Sequence, residues 1–476
     1  MRAEPDSLIV APRVRCLPIV LLAWLACANA APPSERHAIA ITDVTVIDVE
    51  NGRSAGPRTV LVDEGRIVAI VAPNAADIPT KAERLDGRGK FLIPGLVDMH
   101  VHLFNNYSRR PPNDWTFPLF IANGVTAVRE MNANAASIAI VQQWRKESDA
   151  GELVAPHILA AGVSVHGKSP ADAAAQVDAA ADAGADFIKV FSDVPEPNWR
   201  AILEAARVRS LPVSGHVPAG VPLLVAAAAG QRTDEHLMQA YEACSSVEAS
   251  LLEERRNLDG HALVEKRDSQ ESRALDAFAQ RACERVGKKL AATGQVQVPT
   301  LVLAHEEATR GKDPPGNDPR WRYLRPDERV RWERNLASLT SVDDALAKRR
   351  WDVSRRIASA FHASGVQILA GTDTPMPGNY PGYSLHEELA LLVEAGFTSL
   401  EALRAATLAP AQFLGVAGTT GSVSAGQRAD LVLLDADPTR DIRNTQRIHA
   451  VLLGGRLLRR ADLDALLANA ARAESR

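Results

Sequence analysis

The chain has 476 residues, of which 46% are hydrophobic and 24% are charged, and its formal net charge is −4. This composition is ordinary for globular proteins, and the length suits a barrel of roughly 250 or more residues with a smaller unit attached. The slightly negative charge excludes the basic surface that nucleic-acid binding requires. We therefore expect a globular protein without a nucleic-acid partner.

The N-terminus has the pattern of an export signal. Arg13 and Arg15 precede an apolar run over residues 16–28, and an A-x-A cleavage pattern ends at Ala30. The apolar run is too short to span a bilayer comfortably. We predict a signal peptide over residues 1–30 and a periplasmic or secreted mature protein that has no membrane span.

The cysteines leave two questions open. Cys27 could anchor the chain as a lipoprotein, although Trp24 stands three residues before it, where a small aliphatic residue is usual. The mature chain keeps Cys244 and Cys283. In an oxidising compartment these two either form a disulfide or remain buried thiols.

Both ends of the mature chain have strand patterns. Residues 38–72 alternate between apolar and polar side chains, with a hairpin turn at residues 63–65, and strand patterns return over residues 426–435 and 448–456. We predict that both ends build one small β-sandwich domain. The predicted segments are residues 31–92 and 416–460 for this domain and residues 461–476 for a C-terminal helix and tail.

Between these ends, short apolar strands alternate with helical stretches. The pattern predicts repeated βα units around a parallel sheet. Eight units indicate an α/β fold in which a (β/α)8 TIM barrel over residues 93–415 is inserted in the β-sandwich domain. The predicted barrel strands are Leu96–His102, Val125–Glu130, His157–Val163, Phe187–Phe191, Pro212–His216, Arg232–His236, Val298–Leu303 and Val366–Ala370.

Two regions, residues 240–289 and 314–356, are longer and more charged than a plain barrel helix requires. The second contains Trp321, Trp332 and Trp351 among many arginines. We expect helices whose aromatic side chains pack on the barrel. The alternative is a lid over the site or a subunit contact.

Several metal-binding residue types stand at or near the ends of the predicted barrel strands, where barrel active sites lie. Side chains at i and i+2 of a strand point to the same face, so His100 and His102 project together. The converging residues are His100, His102, Lys189, His216, His236 and Asp373. Imidazole groups suit zinc, so this set predicts a metal site.

Lys189 lies in the apolar strand Phe-Ile-Lys-Val-Phe and is costly to bury as a cation. A neighbouring carboxylate could neutralise it. Alternatively, carboxylation of its amine would make a carbamate, an oxygen ligand able to bridge two cations. The four histidines around it favour the carbamate.

These motifs resemble those of the amidohydrolase superfamily of metal-dependent hydrolases. Within it, the chain is similar to the branch that contains imidazolonepropionase-like proteins and prolidase-like Xaa-Pro dipeptidases. The resemblance covers about residues 38–458 and identifies no substrate. The stretches that carry it are Pro94–His102, Ala185–Val190, Gly215-His216, Glu235-His236, Ala370–Asp373, Gly382–Gly396 and Leu400–Thr407.

The resemblance implies a role for each converging residue. His100, His102 and Asp373 would hold the more buried Zn²⁺. His216 and His236 would hold the more exposed one, and carboxylated Lys189 would bridge them. Because some members of this branch work with one metal, both one and two zinc ions per chain are compatible with the resemblance. A metal-activated hydroxide would attack the substrate, and Asp373 would pass its proton to the leaving nitrogen.

The loops beside two ligands depart from the pattern of this branch. His216 stands in Gly-His-Val-Pro, where His-x-His-Gly is common, and His236 stands in Glu-His-Leu-Met, where Glu-His-Gly is common. The resemblance is therefore weakest in the loops that would contact the substrate. His166 and Tyr241 are weaker candidates for substrate binding at the barrel mouth.

The sequence thus predicts an exported metal-dependent hydrolase that cleaves the C–N bond of a small molecule. The preferred substrates are a dipeptide of Xaa-Pro type or an N-acyl amino acid. Hydrolysis of an ester, lactone or phosphotriester on the same site is the alternative reaction. The alternative of another class is a catalytically inactive metal-binding or interaction protein. Assembly into a homo-oligomer is compatible with the superfamily.

Overall fold

The structure is a computed structural model, and it describes residues 38–73, 78–104, 111–310, 315–339 and 344–473. The predicted signal peptide, including Cys27, lies outside the described residues. Within the described ranges, no helix has both the length and the apolar character needed to cross a membrane.

Strands from both chain ends pair in one eight-stranded sheet. These strands are β1 (Ile39–Ile47), β2 (Ser54–Asp63), β3 (Arg66–Val71), β4 (Glu83–Asp86), β5 (Phe91–Pro94), β13 (Leu431–Leu434), β14 (Ile448–Leu453) and β15 (Arg456–Arg459). The order is β15-β14-β13-β5-β1-β2-β3, with β4 paired to β1. Antiparallel pairing of β13 with β5 joins the two chain ends, because apolar residues such as Ile41 and Leu433 share one buried core.

The predicted hairpin at residues 63–65 is confirmed. β2 and β3 pair in the antiparallel sense around Glu64 and Gly65. Both turn residues have positive φ, 45° and 78°, as a tight two-residue hairpin turn requires.

The middle of the chain forms a curled parallel sheet. Its strands are β6 (Leu96–Val101), β7 (Val125–Ala133), β8 (His157–Ser164), β9 (Phe187–Val190) and β10 (Val213–Gly215), in the order β10-β9-β8-β7-β6. β11 (Thr233–Glu235) pairs in parallel with β12 (Val296–Val298). Nearly every residue of these strands is buried, so the strands read as continuous apolar runs rather than as alternating patterns.

The prediction for the seventh barrel strand, Val298–Leu303, is wrong. The strand β12 ends at Val298, and a helix begins at Leu301. The apolar run Leu301-Val302-Leu303 continues the apolar character of the strand, and a short apolar run does not distinguish strand from helix.

The prediction for the eighth strand, Val366–Ala370, is also wrong, because the segment forms no extended strand. It does hydrogen-bond on both sides. Ile368 makes an isolated parallel bridge with Gln297 of β12, and Met99 of β6 donates its N–H to Ala370 O at 3.0 Å.

Helices connect the strands and supply the two long insertions. They are α1 (Phe117–Ala122), α2 (Ile138–Asp149), α3 (Pro170–Ala183), α4 (Glu196–Val208), α5 (Leu223–Ala228), α6 (Met238–Ala243), α7 (Glu248–Arg255), α8 (Gly260–Asp276), α9 (Gln280–Thr293), α10 (Leu301–Thr309), α11 (Pro326–Leu339), α12 (Asp344–Ala363), α13 (Tyr383–Glu394), α14 (Ser399–Ala405), α15 (Leu408–Phe413) and α16 (Arg460–Ala473). Short 3-10 turns lie at Asp114–Thr116, Ala135–Ser137, Pro315–Asn317, Pro319–Tyr323 and Ile442–Gln446.

Local sequence signals set the ends of α3. The Ser169 side chain accepts a hydrogen bond from Asp172 N, Pro170 occupies the first turn, and Gly184 ends the helix with φ of 86°. Serine before the first turn, proline inside it and glycine after the last are the expected helix start and stop.

The two insertions are helical, as predicted, and their aromatic residues are packed. Trp332 of α11 is fully buried, with its ring 5.0 Å from that of Tyr380. In the first insertion, Cys244 and Cys283 form a disulfide that joins the end of α6 to α9. The structure therefore selects the bridged state over two thiols.

Candidate metal centre

The end of β6 and the loop after residue 370 bring three metal-binding side chains together. The ligand atoms of His100, His102 and Asp373 all lie within 4.8 Å of one another. Asp373 Oδ1 is 2.6 Å from His102 Nε2 and 3.1 Å from His100 Nε2. His100 is fully buried and Asp373 almost so. The His-x-His spacing on a strand produces this arrangement, as the sequence predicts.

Two further histidines extend this group. The ring of His236, after β11, lies 4.6 Å from the ring of His100 and 5.0 Å from that of His216, after β10. His100 and His102 lie 5.2 Å apart, ring to ring. The four imidazoles therefore form one continuous cluster with Asp373.

Lys189, on β9, is completely buried, and its Nζ forms no hydrogen bond with any described residue. Burial lowers the pKa of the Lys189 amine to about 8, against the charges of Glu235 and Asp373, which raise it. An amine without a partner is costly in such a place. The alternative of a directly paired lysine finds no support among the described residues, and the chemistry of the site suits a modified or metal-bound Lys189.

Hydrogen bonds at Nδ1 leave Nε2 of two histidines available as a ligand. Glu235 Oε2 is 2.8 Å from His100 Nδ1, and a carboxylate only accepts, so His100 carries its proton on Nδ1. His100 Nε2 is buried and faces Asp373 Oδ1 at 3.1 Å. His236 Nδ1 lies 2.8 Å from Thr300 Oγ1. Ligating histidines commonly have such a partner on the second ring nitrogen, so these residues fit a metal.

Glu235 is a functional candidate that the sequence analysis did not single out. It is fully buried and accepts a 2.8 Å hydrogen bond from Arg129, whose Nε donates to Met99 O at 2.6 Å. Burial would raise the pKa of Glu235, but the charges of Arg129 and His100 hold it well below its usual range. The dipeptide Glu235-His236 and the buried arginine at the end of β7 are the signals that could have indicated this pair.

Asp98 connects β6 to the loop that carries Asp373. Its carboxylate accepts from His100 N at 3.2 Å, from Thr372 N at 3.1 Å and from the Thr372 hydroxyl at 2.6 Å. These bonds let Asp98 orient the end of β6 and the loop that carries Asp373.

Backbone strain is concentrated at the site. His236, Leu237, Thr300 and Asp373 have φ of 67°, 59°, 44° and 62°. Non-glycine residues rarely adopt this left-handed region, and strain of this kind clusters where surrounding structure fixes functional groups.

A cavity of about 1200 Å³ opens over the cluster, and His102, His216, His236 and Asp373 line it. Its walls also include Arg331 and Arg334 of α11 and Arg350 of α12, so the second insertion forms part of the cavity wall.

The two substrate-binding candidates differ in position. Tyr241 lines the cavity, but its hydroxyl is 2.8 Å from Ser354 Oγ. His166 is not among the described residues that line the cavity. Its ring stacks on Phe191 at 5.3 Å, and its Nδ1 lies 3.4 Å from Asp193. His386, which we did not assign to the site, bonds Thr445 and Asn123 O within the fold.

The chain is similar in sequence and fold to known hydrolases. A family model described as "Amidohydrolase family" matches residues 332–458. Imidazolonepropionase of Deinococcus radiodurans is 26% identical over 406 residues, which are 82% of this chain and 89% of that protein. The solved structure of a bottromycin amidohydrolase is 26% identical, with a TM-score of 0.69 over 92% of this chain and 90% of its own. The fold also matches a putative prolidase from Bifidobacterium longum, with 24% identity and a TM-score of 0.62 over 91% of this chain and 99% of that one.

Proposed function

We propose that this chain, a C–N hydrolase of the amidohydrolase superfamily in the branch of imidazolonepropionase and the prolidase-like proteins, cleaves the amide bond of a small molecule. The proposed site is the cluster of His100, His102 and Asp373. The proposed substrates are dipeptides, including Xaa-Pro dipeptides, and N-acyl amino acids. The observation that carries the proposal is the grouping of three ligand atoms within 4.8 Å at a large cavity.

The donor set fits zinc. We propose that His100, His102 and Asp373 would hold the more buried Zn²⁺ and that His216 and His236 would hold a second. Carboxylated Lys189 would supply an oxygen ligand to both. Two observations support this assignment: the buried Nζ of Lys189 forms no hydrogen bond with a described residue, and Nε2 of His100 faces Asp373. When bound, Zn²⁺ lowers the pKa of water and polarises the substrate carbonyl.

The chain's own residues would move the proton and position the groups that do so. Asp373 lines the cavity beside His102, so its carboxylate can accept a proton and deliver it to the leaving nitrogen. Glu235 orients His100 through a hydrogen bond, and Asp98 fixes the loop that carries Asp373. The mostly buried setting keeps bulk water away from these groups and strengthens their electrostatic interactions.

We also propose that the parallel strands complete a (β/α)8 barrel over residues 93–415. Arg232 N donates to Val213 O at 2.7 Å, which connects β11 to β10. Isolated bridges Gln297–Ile368 and Val101–Thr374 continue the hydrogen bonding from β12 back to β6. The shared core of residues from 31–92 and 416–460 supports a β-sandwich domain around the insertion, and residues 1–30 support export.

A turnover screen on purified, zinc-loaded mature protein tests the proposal. The panel holds Xaa-Pro and other dipeptides, N-acyl amino acids, esters and lactones. We expect amide hydrolysis that falls about 10³-fold or more in Asp373→Asn, because the proton-transfer group is removed. Asp268→Asn is the matched control, since Asp268 lines the same cavity but pairs with Arg267, and it should stay within about twofold of the unmodified protein.

Two results would count against the proposal. Unchanged turnover in Asp373→Asn would rule out the proposed role of Asp373 in proton transfer. Hydrolysis of esters or lactones without amides would favour the alternative reaction on the same site.

A further inference from the structure

Thr300 has a backbone conformation that β-branched residues rarely adopt. It follows β12 with φ of 44° and ψ of 50°, and only 1% of its surface is exposed. Glycine or asparagine would occupy this left-handed region with less strain. A threonine held here against its preference points to a role for its side chain.

The hydroxyl of Thr300 has two partners, and together they fix the direction of each hydrogen bond. Oγ1 lies 2.8 Å from Pro299 O and 2.8 Å from His236 Nδ1. A carbonyl oxygen only accepts, so the single hydroxyl hydrogen goes to Pro299. Thr300 must then accept from His236, which carries its proton on Nδ1 and keeps the lone pair on Nε2.

The backbone at His236 departs from strand geometry. It is followed by Leu237, and both have left-handed backbones, with φ of 67° and 59°, so the strand geometry of β11 does not extend to it. Its ring contacts are the imidazoles of His100 and His216, which are ligand candidates themselves. Among the described residues, the Thr300 hydroxyl is the group that hydrogen-bonds the His236 ring, and this bond favours one tautomer and one ring orientation.

We propose that Thr300 is a positioning residue for the second metal: its hydroxyl fixes the Nδ1-protonated tautomer of His236 and thereby sets the zinc affinity of the site that His236 and His216 form. The inference rests on the proposed function, in which His236 is a zinc ligand. It adds a residue outside the ligand set and assigns it to one of the two metals.

Three substitutions separate positioning from a purely structural role. Thr300→Val keeps the branched shape and the strain but removes the acceptor. Thr300→Ser keeps the hydroxyl. Thr300→Gly removes both the hydroxyl and the backbone strain. Zinc affinity is measured on the full mature chain by competition with a chromophoric chelator, and urea unfolding of the zinc-free proteins reports the fold.

We expect the first zinc to bind all variants as it binds the unmodified protein. The second should bind about 10- to 100-fold more weakly in Thr300→Val and Thr300→Gly, the usual effect of losing a ligand's hydrogen-bond partner. Thr300→Ser should restore it to within about threefold. Thr300→Gly should be at least as stable as Thr300→Val without zinc, because its backbone is unstrained.

Binding of the second zinc to Thr300→Val with unchanged affinity would overturn the inference, and so would affinities that simply follow the stability of the zinc-free variants. The inference would also be overturned if the unmodified protein bound only one zinc ion. A failure of the proposed function is distinguishable, because it shows in the unmodified protein as absent zinc binding or absent hydrolysis.

Discussion

Glu235 forms hydrogen bonds with both His100 and Arg129 beside the proposed metal centre. One carboxylate oxygen lies 2.8 Å from His100 Nδ1 and the other 2.8 Å from an Arg129 nitrogen. Neither Arg129 nor Glu235 has appreciable exposure to solvent. The ion pair is therefore unscreened, and each charge depends on the other for its compensation.

Replacing Glu235 with glutamine should destabilise the protein by about 3–5 kcal/mol, because Arg129 is left buried without a counter-charge. Urea denaturation of the zinc-free protein measures this change. Glu204→Gln is the control: Glu204 forms an exposed pair with Arg207 on α4, and such pairs contribute little to stability. Equal stability of Glu235→Gln and the unmodified protein would contradict the assigned role of this pair.

At the scale of single residues, the sequence was informative where chemistry and spacing coincide. His100, His102 and Asp373 meet as predicted, since a His-x-His pair on a strand has only one geometry. Glu235 and Thr300 were not identified, because their importance comes from contacts with residues 64 or more positions away, which no local pattern encodes.

Among the elements, the first insertion is held by a covalent link. The disulfide Cys244–Cys283 closes a separation of 39 residues between α6 and α9. Between these cysteines, Arg255 of α7 makes two hydrogen bonds to Glu242 of α6, one of them at 2.7 Å, in a buried pair. α6 immediately follows His236, so the link fixes an element that borders the site.

The double substitution of Cys244 and Cys283 by serine should lower the free energy of unfolding by about 2–4 kcal/mol. Without the disulfide, the unfolded chain regains the conformational freedom that loop closure removes. Thermal unfolding with and without reductant measures it. The unmodified protein should show the decrease on full reduction, whereas the double variant should be insensitive to reductant. A protein whose midpoint is the same in every case would contradict a stabilising bridge.

Elements were predicted well where their signals are local. The hairpin of β2 and β3 forms at its predicted turn residues. The seventh and eighth barrel segments were predicted wrongly, because their pairing depends on neighbours far away in sequence. The segment at Ile368 has one bridge to Gln297 rather than a ladder, and apolar content alone does not reveal that difference.

For the molecule as a whole, Asp430 connects the two sheets. Its carboxylate accepts from Gly454 N at 2.8 Å and lies 3.2 Å from His157 Nε2, at the start of β8. Its backbone carbonyl accepts from Gly95 N at 2.8 Å, just before β6. Burial would raise the pKa of Asp430, but His157 and Arg428 hold it well below its usual range.

Asp430→Asn should therefore destabilise the protein near pH 7 by about 2–3 kcal/mol, through loss of a buried, charged acceptor. A carboxyl with a lowered pKa contributes stability above its unfolded pKa of about 3.9, and that stability is lost as the pH falls further. The difference between the two proteins should thus shrink below about pH 4. Denaturant unfolding from pH 7 to 3.5 measures it, and a constant difference across that range would contradict the charged role.

The most direct test of the account is metal removal followed by titration with zinc, using the best amide substrate from the screen. We expect chelation to abolish hydrolysis and added Zn²⁺ to restore it, saturating at two ions per chain if Lys189 bridges them and His236 and His216 hold the second. Saturation at one ion would support a metal-dependent hydrolase but would rule out the second metal site. Amide hydrolysis that persists in the fully chelated protein would contradict the central claim that this cluster acts through bound metal.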